Sequence, residues 1–523
     1  MTDSSRSLSR RFVLRGFAAF AATGAAGAVL AACGGEAATT APTTVPAAAP
    51  TGPAVATTPA AAATTAPAAT SGATAAPAAT VAATTSTGAA TTAPTTMTTG
   101  STSSISATPG GGKGSTIDSV TLDSPQEVQF WHIQATIYGE AIKQIVADFN
   151  KLNTGKITVV ETFQGSYADL NKKVRAAIQG GGVPDVAMAY EPETQEYLTA
   201  GTVVPVDDYL ASSKYGISDD AIKDLMPNVL ARQRIKQYGG KTMSWPHGTS
   251  SQGIYYNVDL LKKAGIERPA ATLDEFLAQA KVVKDKTGAP AVPFTSGMGG
   301  IWLNILRSYG VNYVTDDGKT SNFDKPEALT SLKFLKQMKD DGTAVIVMDT
   351  EQEFTNQRVA FEIGTTARTS SKVDLIGTKF NWGITLVPQG KADIKVTEMY
   401  GGNQVLFKSN PKKQLATWLF MRYFAGTDAQ AVYGQKTGYF PATTSSQNTD
   451  LLKKDYTDHP QKAQAFKEVF PFAKIQDPNP ARNAIGDTLD ATINDMLAGK
   501  LTPEDAQKKI KSEADKSLKQ FNP

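Results

Sequence analysis

The chain has 523 residues, a formal net charge of +3 and a single cysteine, Cys33. A near-neutral balance without a basic cluster argues against a nucleic-acid partner, and one cysteine excludes a disulfide within the chain. The three histidines, His132, His247 and His459, lack metal-ligand spacing, and there is no glycine-rich phosphate loop. We therefore expect neither a metal nor another cofactor.

The amino terminus has the layout of an export signal. The adjacent Arg10 and Arg11 precede a short stretch rich in alanine and glycine, with no acidic residue between Asp3 and Glu36. A positive segment before an apolar one is typical of secretion, and paired arginines suggest the twin-arginine route, with general secretion as the alternative. The stretch is short for a membrane span, which needs about 20 residues. We predict a signal peptide over residues 1–32.

The apolar stretch ends in LAAC, which resembles the lipobox of bacterial lipoproteins. The resemblance implies that Cys33 becomes the first residue of the mature chain and carries a lipid. Residues 36–116 are almost wholly Ala, Thr, Pro, Ser and Gly, a composition that cannot bury enough apolar surface to become ordered. We predict a lipid-anchored, disordered linker over residues 33–118, which holds a folded part, residues 119–523, at the outer face of the cytoplasmic membrane.

The folded part begins with alternating strand and helix patterns. A β-rich run over residues 127–133 predicts a strand, and apolar residues at helical spacing over residues 139–153 predict a helix. Residues 156–163 alternate like a second strand, residues 167–181 predict a helix stopped by glycines, and residues 184–190 predict a buried strand. This β-α-β-α-β order predicts a parallel sheet whose ligand crevice lies at the carboxyl ends of the strands.

Five motifs resemble those of the extracellular solute-binding proteins of ABC sugar importers. In chain order they are VQFWH, GSYADL, GGGVPDVAMAYE, GIYYNVDLLKKAGI and QKTGYFPAT. The similarity covers the chain beyond about Val120 and is closest to the branch of the maltose- and glycerol-3-phosphate-binding proteins. It implies an α/β, two-lobe periplasmic-binding-protein fold, type II-like, that closes about hinge strands. It also implies a monomeric binding protein, not an enzyme, that delivers its solute to the transmembrane subunits of an ABC permease.

The resemblance implies two chain segments for each lobe. The hinge strands would be residues 244–257 and 399–407, within which Gly401 and Gly402 either allow the backbone to approach a ligand or form a turn. Lobe one would take residues 120–245 and 407–437, and lobe two would take residues 253–400 and 438–523.

Candidate solute contacts follow the predicted strands. Tyr167 and Glu191 match family positions that touch ligand; they could bond hydroxyl groups or be solvated loop residues. Tyr439 lies in the most specific motif and would offer an apolar platform to a sugar ring. Trp302 would be a second platform, although Met298 stands where the family has another aromatic residue. The further candidates, each of which could instead pack or cap local backbone, are Trp131, His132, Trp245, Thr249, Ser250, Ser251, Gly401 and Gly402.

The expected charge of the solute depends on one helix. The resemblance places the phosphate-binding arginine of the glycerol-3-phosphate branch at Gly486, and Arg482 lies one turn earlier. Arg482 could reach the crevice or be a surface charge. With Glu191 as a hydroxyl acceptor, this pattern favours a neutral oligosaccharide, and a glycerol 3-phosphate or glycerophosphodiester ligand is the alternative. A secreted glycosidase using Glu191 and an adhesive surface lipoprotein are further alternatives.

Overall fold

The structure, a computed structural model, describes residues 115–235, 239–476 and 479–521. All of these belong to the unit that begins at Ser101. The predicted signal peptide, Cys33 and nearly all of the predicted linker lie outside the described residues. A search of the described helices finds none that is long and apolar enough to cross a membrane.

Strands and helices alternate in the first part of the described chain, as the sequence predicts. The first helix, Thr136–Leu152, buries Ile142, Ile145 and Phe149 on one face. The elements as far as residue 246 are β1 (Gln126–His132), α1 (Thr136–Leu152), β2 (Ile157–Phe163), α2 (Tyr167–Gly180), β3 (Val186–Ala189), α3 (Glu191–Thr199), α4 (Asp207–Leu210), α5 (Asp219–Asp224), α6 (Pro227–Arg232), β4 (Arg234–Ile235), β5 (Lys241–Thr242) and β6 (Trp245–Pro246).

The middle of the chain begins with a long, nearly fully buried strand. A capping box between Thr272 and Glu275 starts the helix Leu273–Thr287, which is capped by Gly288. The elements from residue 250 to residue 400 are β7 (Ser250–Asn257), α7 (Val258–Ala264), α8 (Leu273–Thr287), β8 (Val292–Phe294), α9 (Gly299–Ser308), α10 (Pro326–Asp340), β9 (Ala344–Ile346), α11 (Thr350–Thr355), β10 (Phe361–Thr365), α12 (Thr369–Ile376), β11 (Trp382–Leu386) and β12 (Thr397–Tyr400).

The last part of the chain is mainly helical. Two long amphipathic helices end it, and they pack against each other and against α10. The elements from residue 403 onwards are β13 (Asn403–Leu406), α13 (Pro411–Phe424), α14 (Thr427–Thr437), α15 (Thr444–Gln447), α16 (Asp450–Asp458), α17 (Pro460–Glu468), β14 (Ala473–Lys474), α18 (Arg482–Leu497) and α19 (Pro503–Phe521).

The strands form two main sheets, which we take to define lobe one and lobe two. In lobe one the order is β2-β1-β3-β13-β6, and β1 is parallel to both β2 and β3, as predicted. In lobe two the order is β10-β7-β12-β14, with β11 also paired to β7. Separate hydrophobic cores, one around Phe130 and Trp418 and one around Phe276 and Trp302, lie beside the two sheets. The expected two-lobe α/β fold is confirmed.

Two short segments carry the chain between the sheets. Residues 247–249 join β6 to β7, and residues 401–402 join β12 to β13. The segments meet at glycines: Gly401 has φ 106°, and a Cβ atom there would collide with the carbonyl oxygen of Gly248. Only glycine allows both this conformation and this contact. Phe440, in the segment after α14, runs alongside and donates its amide to the Thr249 carbonyl at 2.7 Å.

Candidate functional site

Three helices begin near the junction between the lobes, and two of them directly follow strands of the lobe-one sheet. Tyr167 begins α2 just after β2, and Glu191 begins α3 just after β3. Arg482 begins α18 in lobe two, and Gly402 and Tyr439 approach from the segments at the junction. This is the carboxyl edge of the lobe-one sheet, where ligands bind in open α/β folds.

Tyr167 and Gly402 meet closely at this edge. The Tyr167 ring packs on the Tyr190 ring with a centroid distance of 4.4 Å. A Cβ atom at Gly402 would collide with the Tyr167 hydroxyl, so the missing side chain makes the approach possible. That hydroxyl is buried and has no hydrogen-bond partner among the described residues. It is therefore a donor that can serve a bound solute.

Tyr439 lies in a second aromatic group beside the junction. Its ring centroid is 5.2 Å from that of Tyr433 and 6.2 Å from that of Tyr138, and Gly248 leaves space for its edge. Tyr138, on α1 of lobe one, donates its hydroxyl to the carbonyl of Ala367 in lobe two at 3.2 Å. The aromatic group thus spans both lobes.

These tyrosines are deeply placed yet accessible. Burial raises the pKa of Tyr167, Tyr190, Tyr400 and Tyr439 above the ordinary value, so all four phenols stay protonated at neutral pH. Each side chain nevertheless keeps an intermediate exposure. We take these four tyrosines, which come from both lobes, as the candidate site at the junction and call it the tyrosine cleft.

Glu191 is not a free carboxylate, because it forms a buried ion pair with Arg232 of α6. The Arg232 Nε donates to one carboxylate oxygen of Glu191, and Nη2 donates to the other at 3.3 Å. Asn403 also donates to Glu191, at 3.1 Å. Arg232 further donates to the backbone carbonyls of Tyr400, at 3.1 Å, and Gly401. The pair therefore fixes the start of α3 to the segment that joins the lobes.

Glu193, two residues further along α3, connects the lobes directly. Its carboxylate accepts a 2.8 Å hydrogen bond from Asn483 Nδ2 on α18. Its second oxygen is buried without a partner among the described residues. Burial raises the pKa of Glu193, although the Asn483 bond opposes the shift. The contact joins lobe one to lobe two across the edge of the tyrosine cleft.

Arg482 lies at the lobe-two wall of the cleft. Its guanidinium carbon is 5.7 Å from the centroid of the Tyr313 ring, and it interacts electrostatically with Tyr190 of lobe one and with Tyr400. Its Nη1 lies 3.5 Å from where a Cβ of Gly486 would be. The side chain thus lies along its own helix.

Comparison with known proteins fits this architecture. The family model for the bacterial extracellular solute-binding protein matches residues 144–464. The chain belongs to this family. A binding protein of Brucella abortus is 26% identical over 363 residues, covering 67% of this chain and 83% of the relative. The sn-glycerol-3-phosphate-binding periplasmic protein of Salmonella typhimurium is 25% identical over 423 residues, covering 75% of this chain and 93% of the relative.

Solved structures confirm the fold of this solute-binding protein. The crystal structure of the cyclic α-maltosyl-1,6-maltose binding protein of Arthrobacter globiformis matches with a TM-score of 0.65 at 20% identity. The match covers 76% of this chain and all of that one. The periplasmic-binding-protein fold expected from the motifs is therefore the fold of this chain.

Two tryptophans that the sequence suggested as contacts are core residues in this solute-binding protein. Trp245 is 0% exposed and meets Trp418 edge-on, with centroids 5.3 Å apart, in the lobe-one core. Trp302 is 0% exposed and packs against Phe323 at 5.2 Å in the lobe-two core. Their sequence motifs gave the right neighbourhood, but packing turns both side chains away from the cleft.

Trp131 and His132 lie at the carboxyl end of β1. Trp131 is half-buried and packs against the lobe-one core. His132 is buried, and its Nε2 lies 2.5 Å from a carboxylate oxygen of Glu161 on β2. Burial lowers the pKa of His132, against the opposing effect of Glu161. Both residues contribute to the local structure of the sheet.

Three hydroxyl residues follow one another where the chain crosses between the lobes, namely Thr249, Ser250 and Ser251. Thr249 pairs with Phe440 through the backbone, and Ser250 Oγ accepts from Thr365 Oγ1 at 3.0 Å. Ser251 is fully buried, and its Oγ has no partner among the described residues. Ser251 therefore keeps an unused hydroxyl.

A cavity of about 550 Å³ lies away from this site, bordered by Val120, Gln126, Asn410 and Lys412. It stands at the amino end of β1, whereas the tyrosine cleft is at the carboxyl ends of the strands. Its lining has polar side chains but no aromatic ring to hold a solute. We therefore place the site in the cleft. No cluster of potential metal ligands occurs within the described ranges.

Proposed function

We propose that the protein is the solute receptor of an ABC importer, which captures a sugar between its two lobes and delivers it to the membrane permease. The observation that carries the proposal is the tyrosine cleft, which draws on both lobes and lies beside glycine-containing crossing segments. Rotation about such segments closes lobes on a ligand in hinged proteins. Membership of the solute-binding family and the names of the sugar-binding neighbours support it.

The chemistry of the cleft suits a polyhydroxylated solute. An aromatic ring offers an apolar face to the C–H side of a sugar, and a phenol offers a polar rim. Tyr439 and Tyr190 provide faces, and the unused Tyr167 hydroxyl provides a polar contact. The buried Glu191–Arg232 pair holds the start of α3 and the Tyr400–Gly401 backbone beside these rings.

We further propose that a lipid on Cys33 holds the receptor, as a monomer, at the outer face of the cytoplasmic membrane. The sequence LAAC and the composition of residues 36–116 support this arrangement. A linker of about 80 residues has an end-to-end distance of about 50 Å as a flexible chain, and prolines extend it further. A linker with this reach lets the tethered receptor contact its permease whichever lobe faces the membrane.

A binding screen of the full chain tests the proposed function. Thermal-shift measurements against mono- and oligosaccharides find the solute, because a ligand at 100 times its dissociation constant stabilises by about 2.7 kcal/mol. Calorimetry then compares the wild type with Tyr439→Ala, for which we expect an affinity roughly 10- to 100-fold weaker. Tyr456→Ala, outside the cleft, is the matched control and should bind normally.

Two outcomes would contradict the proposal. Release of reducing sugar from oligosaccharides would indicate a glycosidase. Binding that is equally weakened by Tyr456→Ala and Tyr439→Ala would indicate that both substitutions act through stability.

A further inference from the structure

One short turn of lobe two contacts lobe one beside Tyr439. The turn, Thr366–Arg368, lies between β10 and α12. The carbonyl oxygen of Ala367 accepts the hydroxyl of Tyr138, on α1 of lobe one, at 3.2 Å. The turn also packs on Gly438, where a Cβ atom would come within 3.3 Å of the same carbonyl oxygen. It therefore adjoins Tyr439 twice, through the neighbouring ring of Tyr138 and through the preceding residue of the backbone.

Four charged side chains of lobe two hold this turn in place. Glu351 of α11 accepts Arg368 Nη1 on one carboxylate oxygen, at 3.0 Å, and Lys372 Nζ on the other, at 3.2 Å. Lys372 of α12 also donates to Glu362 of β10, at 3.2 Å. We call Glu351, Glu362, Arg368 and Lys372 the charge network. It ties the last residue of the turn to two helices and a strand.

Lys372 is the buried centre of the charge network. Its side chain is 0% exposed, and its ammonium lies 4.2 Å from the centroid of the Tyr255 ring. A buried ammonium is stable only when its donors are bound, and here carboxylates and an aromatic face bind them. The Tyr255 hydroxyl in turn donates to the carbonyl of Thr365 at 2.8 Å. The network therefore reaches the turn from both sides, at Thr365 and at Arg368.

The helix that meets the turn starts in a strained conformation. Thr136, the first residue of α1, has φ 49°, which is unfavourable for a β-branched residue. The preceding residue, Ala135, has no side chain that could cap the helix. Strain of this kind persists where surrounding contacts hold it, and the bond from Tyr138 to lobe two is one such contact. The first turn of α1 is thus sensitive to whether the lobes are in contact.

We propose that the charge network is a positioning element for lobe closure: it holds the Thr366–Arg368 turn where the turn receives Tyr138, and so it supports Tyr439 without touching the solute. Arg368 and Glu351 are positioning residues, because they act through the turn. The inference rests on the proposed function in one respect, namely that closure serves solute capture. The network and its contact with lobe one are tested without any solute.

Hydrogen–deuterium exchange on the full chain, with no sugar added, measures the contact from both lobes. Arg368→Gln removes a side chain that is 46% exposed, and it should make the lobe-one peptide at the start of α1 exchange about two- to tenfold faster, the size of one lost hydrogen bond. Arg368→Lys keeps a cation and should recover part of the protection. Tyr138→Phe removes only the hydroxyl and should speed exchange in the lobe-two peptide that contains the turn, because coupling between two sites is reciprocal.

Arg358→Gln is the matched control. Arg358 pairs with Glu353 on the same helix α11 at 2.9 Å, with side chains 54% and 21% exposed, against 46% and 14% for Arg368 and Glu351. It should leave exchange at the start of α1 unchanged. Arg368→Gln combined with Tyr138→Phe should exchange there no faster than Tyr138→Phe alone, because both substitutions remove the same contact.

The outcomes separate this inference from the function on which it rests. Faster exchange of Arg368→Gln that stays within lobe two would overturn the inference, because the network would then support only its own lobe. Equal effects of Arg358→Gln and Arg368→Gln at the start of α1, or additive effects in the combined variant, would overturn it as well. All of these results leave solute capture intact, which fails only if the sugar screen finds no ligand.

Discussion

Removal of Arg232 should destabilise the protein far more than removal of an arginine from another ion pair of α3. The side chains of Arg232 and Glu191 are 3% and 9% exposed, so solvent screens their interaction little. Breaking a buried pair by removing one partner costs about 3–5 kcal/mol, because the other charge stays buried. For Arg232→Gln we expect a loss of that size, with a fall in melting temperature of roughly 2–4 °C per kcal/mol.

The two halves of this pair should not cost the same. After Glu191→Gln, Arg232 still donates to the carbonyls of Tyr400 and Gly401. After Arg232→Gln, Glu191 keeps only Asn403 among the described donors named above. Arg232→Gln should therefore cost more than Glu191→Gln, and the double variant should cost less than the sum of the two.

Differential scanning calorimetry of the full chain measures these differences. Arg175→Gln is the matched control. Arg175 of α2 pairs with Glu196, which lies on α3 as Glu191 does, and the two side chains are 39% and 26% exposed. Exposed pairs contribute about 0.2–1 kcal/mol. Equal melting temperatures for Arg232→Gln and Arg175→Gln, or additive effects in the double variant, would refute the reasoning.

Three further changes test separate parts of the structure. Burial raises the pKa of Glu193, so the folded protein holds the carboxyl proton more tightly than the unfolded chain does. The folded state therefore loses stability as pH rises above the unfolded pKa and through the raised pKa. Glu193→Gln should raise the melting temperature at pH 7 and have less effect near pH 4. The same difference in melting temperature between variant and wild type at both pH values would contradict this. Gly401→Ala should lower the melting temperature strongly, whereas Gly300→Ala should not, because a Cβ at Gly300 would meet only the Tyr400 hydroxyl, at an ordinary contact distance of 3.9 Å. Similar melting temperatures for the two variants would count against the glycine contact between the crossing segments. Cys33→Ser should release the protein from washed membranes, and retention there would speak for an uncleaved amino-terminal helix.

The lobe-one sheet could be predicted because its signals are local. Apolar residues at a period of two in β2 and at helical spacing in α1 are set by neighbours along the chain. The positions of Tyr167 and Glu191 follow from the same pattern, since each begins a helix directly after a strand. The strand-helix order therefore gave the edge of the sheet at which the cleft lies.

The partners of these residues could not be predicted in the same way. Arg232 is 41 residues from Glu191, on a short helix with no distinguishing motif, so its pairing is a product of tertiary packing. Tyr190 and Tyr400 were visible in hindsight, because each directly precedes a candidate residue, Glu191 or Gly401. Their role depends on how the two lobes meet.

The tryptophans show the limit of motif matching. A motif places a residue on an element, but it does not give the direction of its side chain. Trp302 lies on α9 and faces Phe323 in the core, whereas the resemblance implied a platform for a sugar. Arg482 is the reverse case, since the sequence left open whether it reached the crevice, and the structure brings it beside Tyr313 and Tyr400.

Hydrogen–deuterium exchange on the full chain, with and without a solute found in the screen, tests the central claim most directly. The claim is that one solute binds in the tyrosine cleft and holds both lobes together. The account predicts slower exchange in the peptides that contain Tyr167, Gly402, Tyr439 and Arg482, hence on both sides of the junction. Protection confined to one lobe, or to the peptides around Gln126 and Asn410 at the separate cavity, would contradict it.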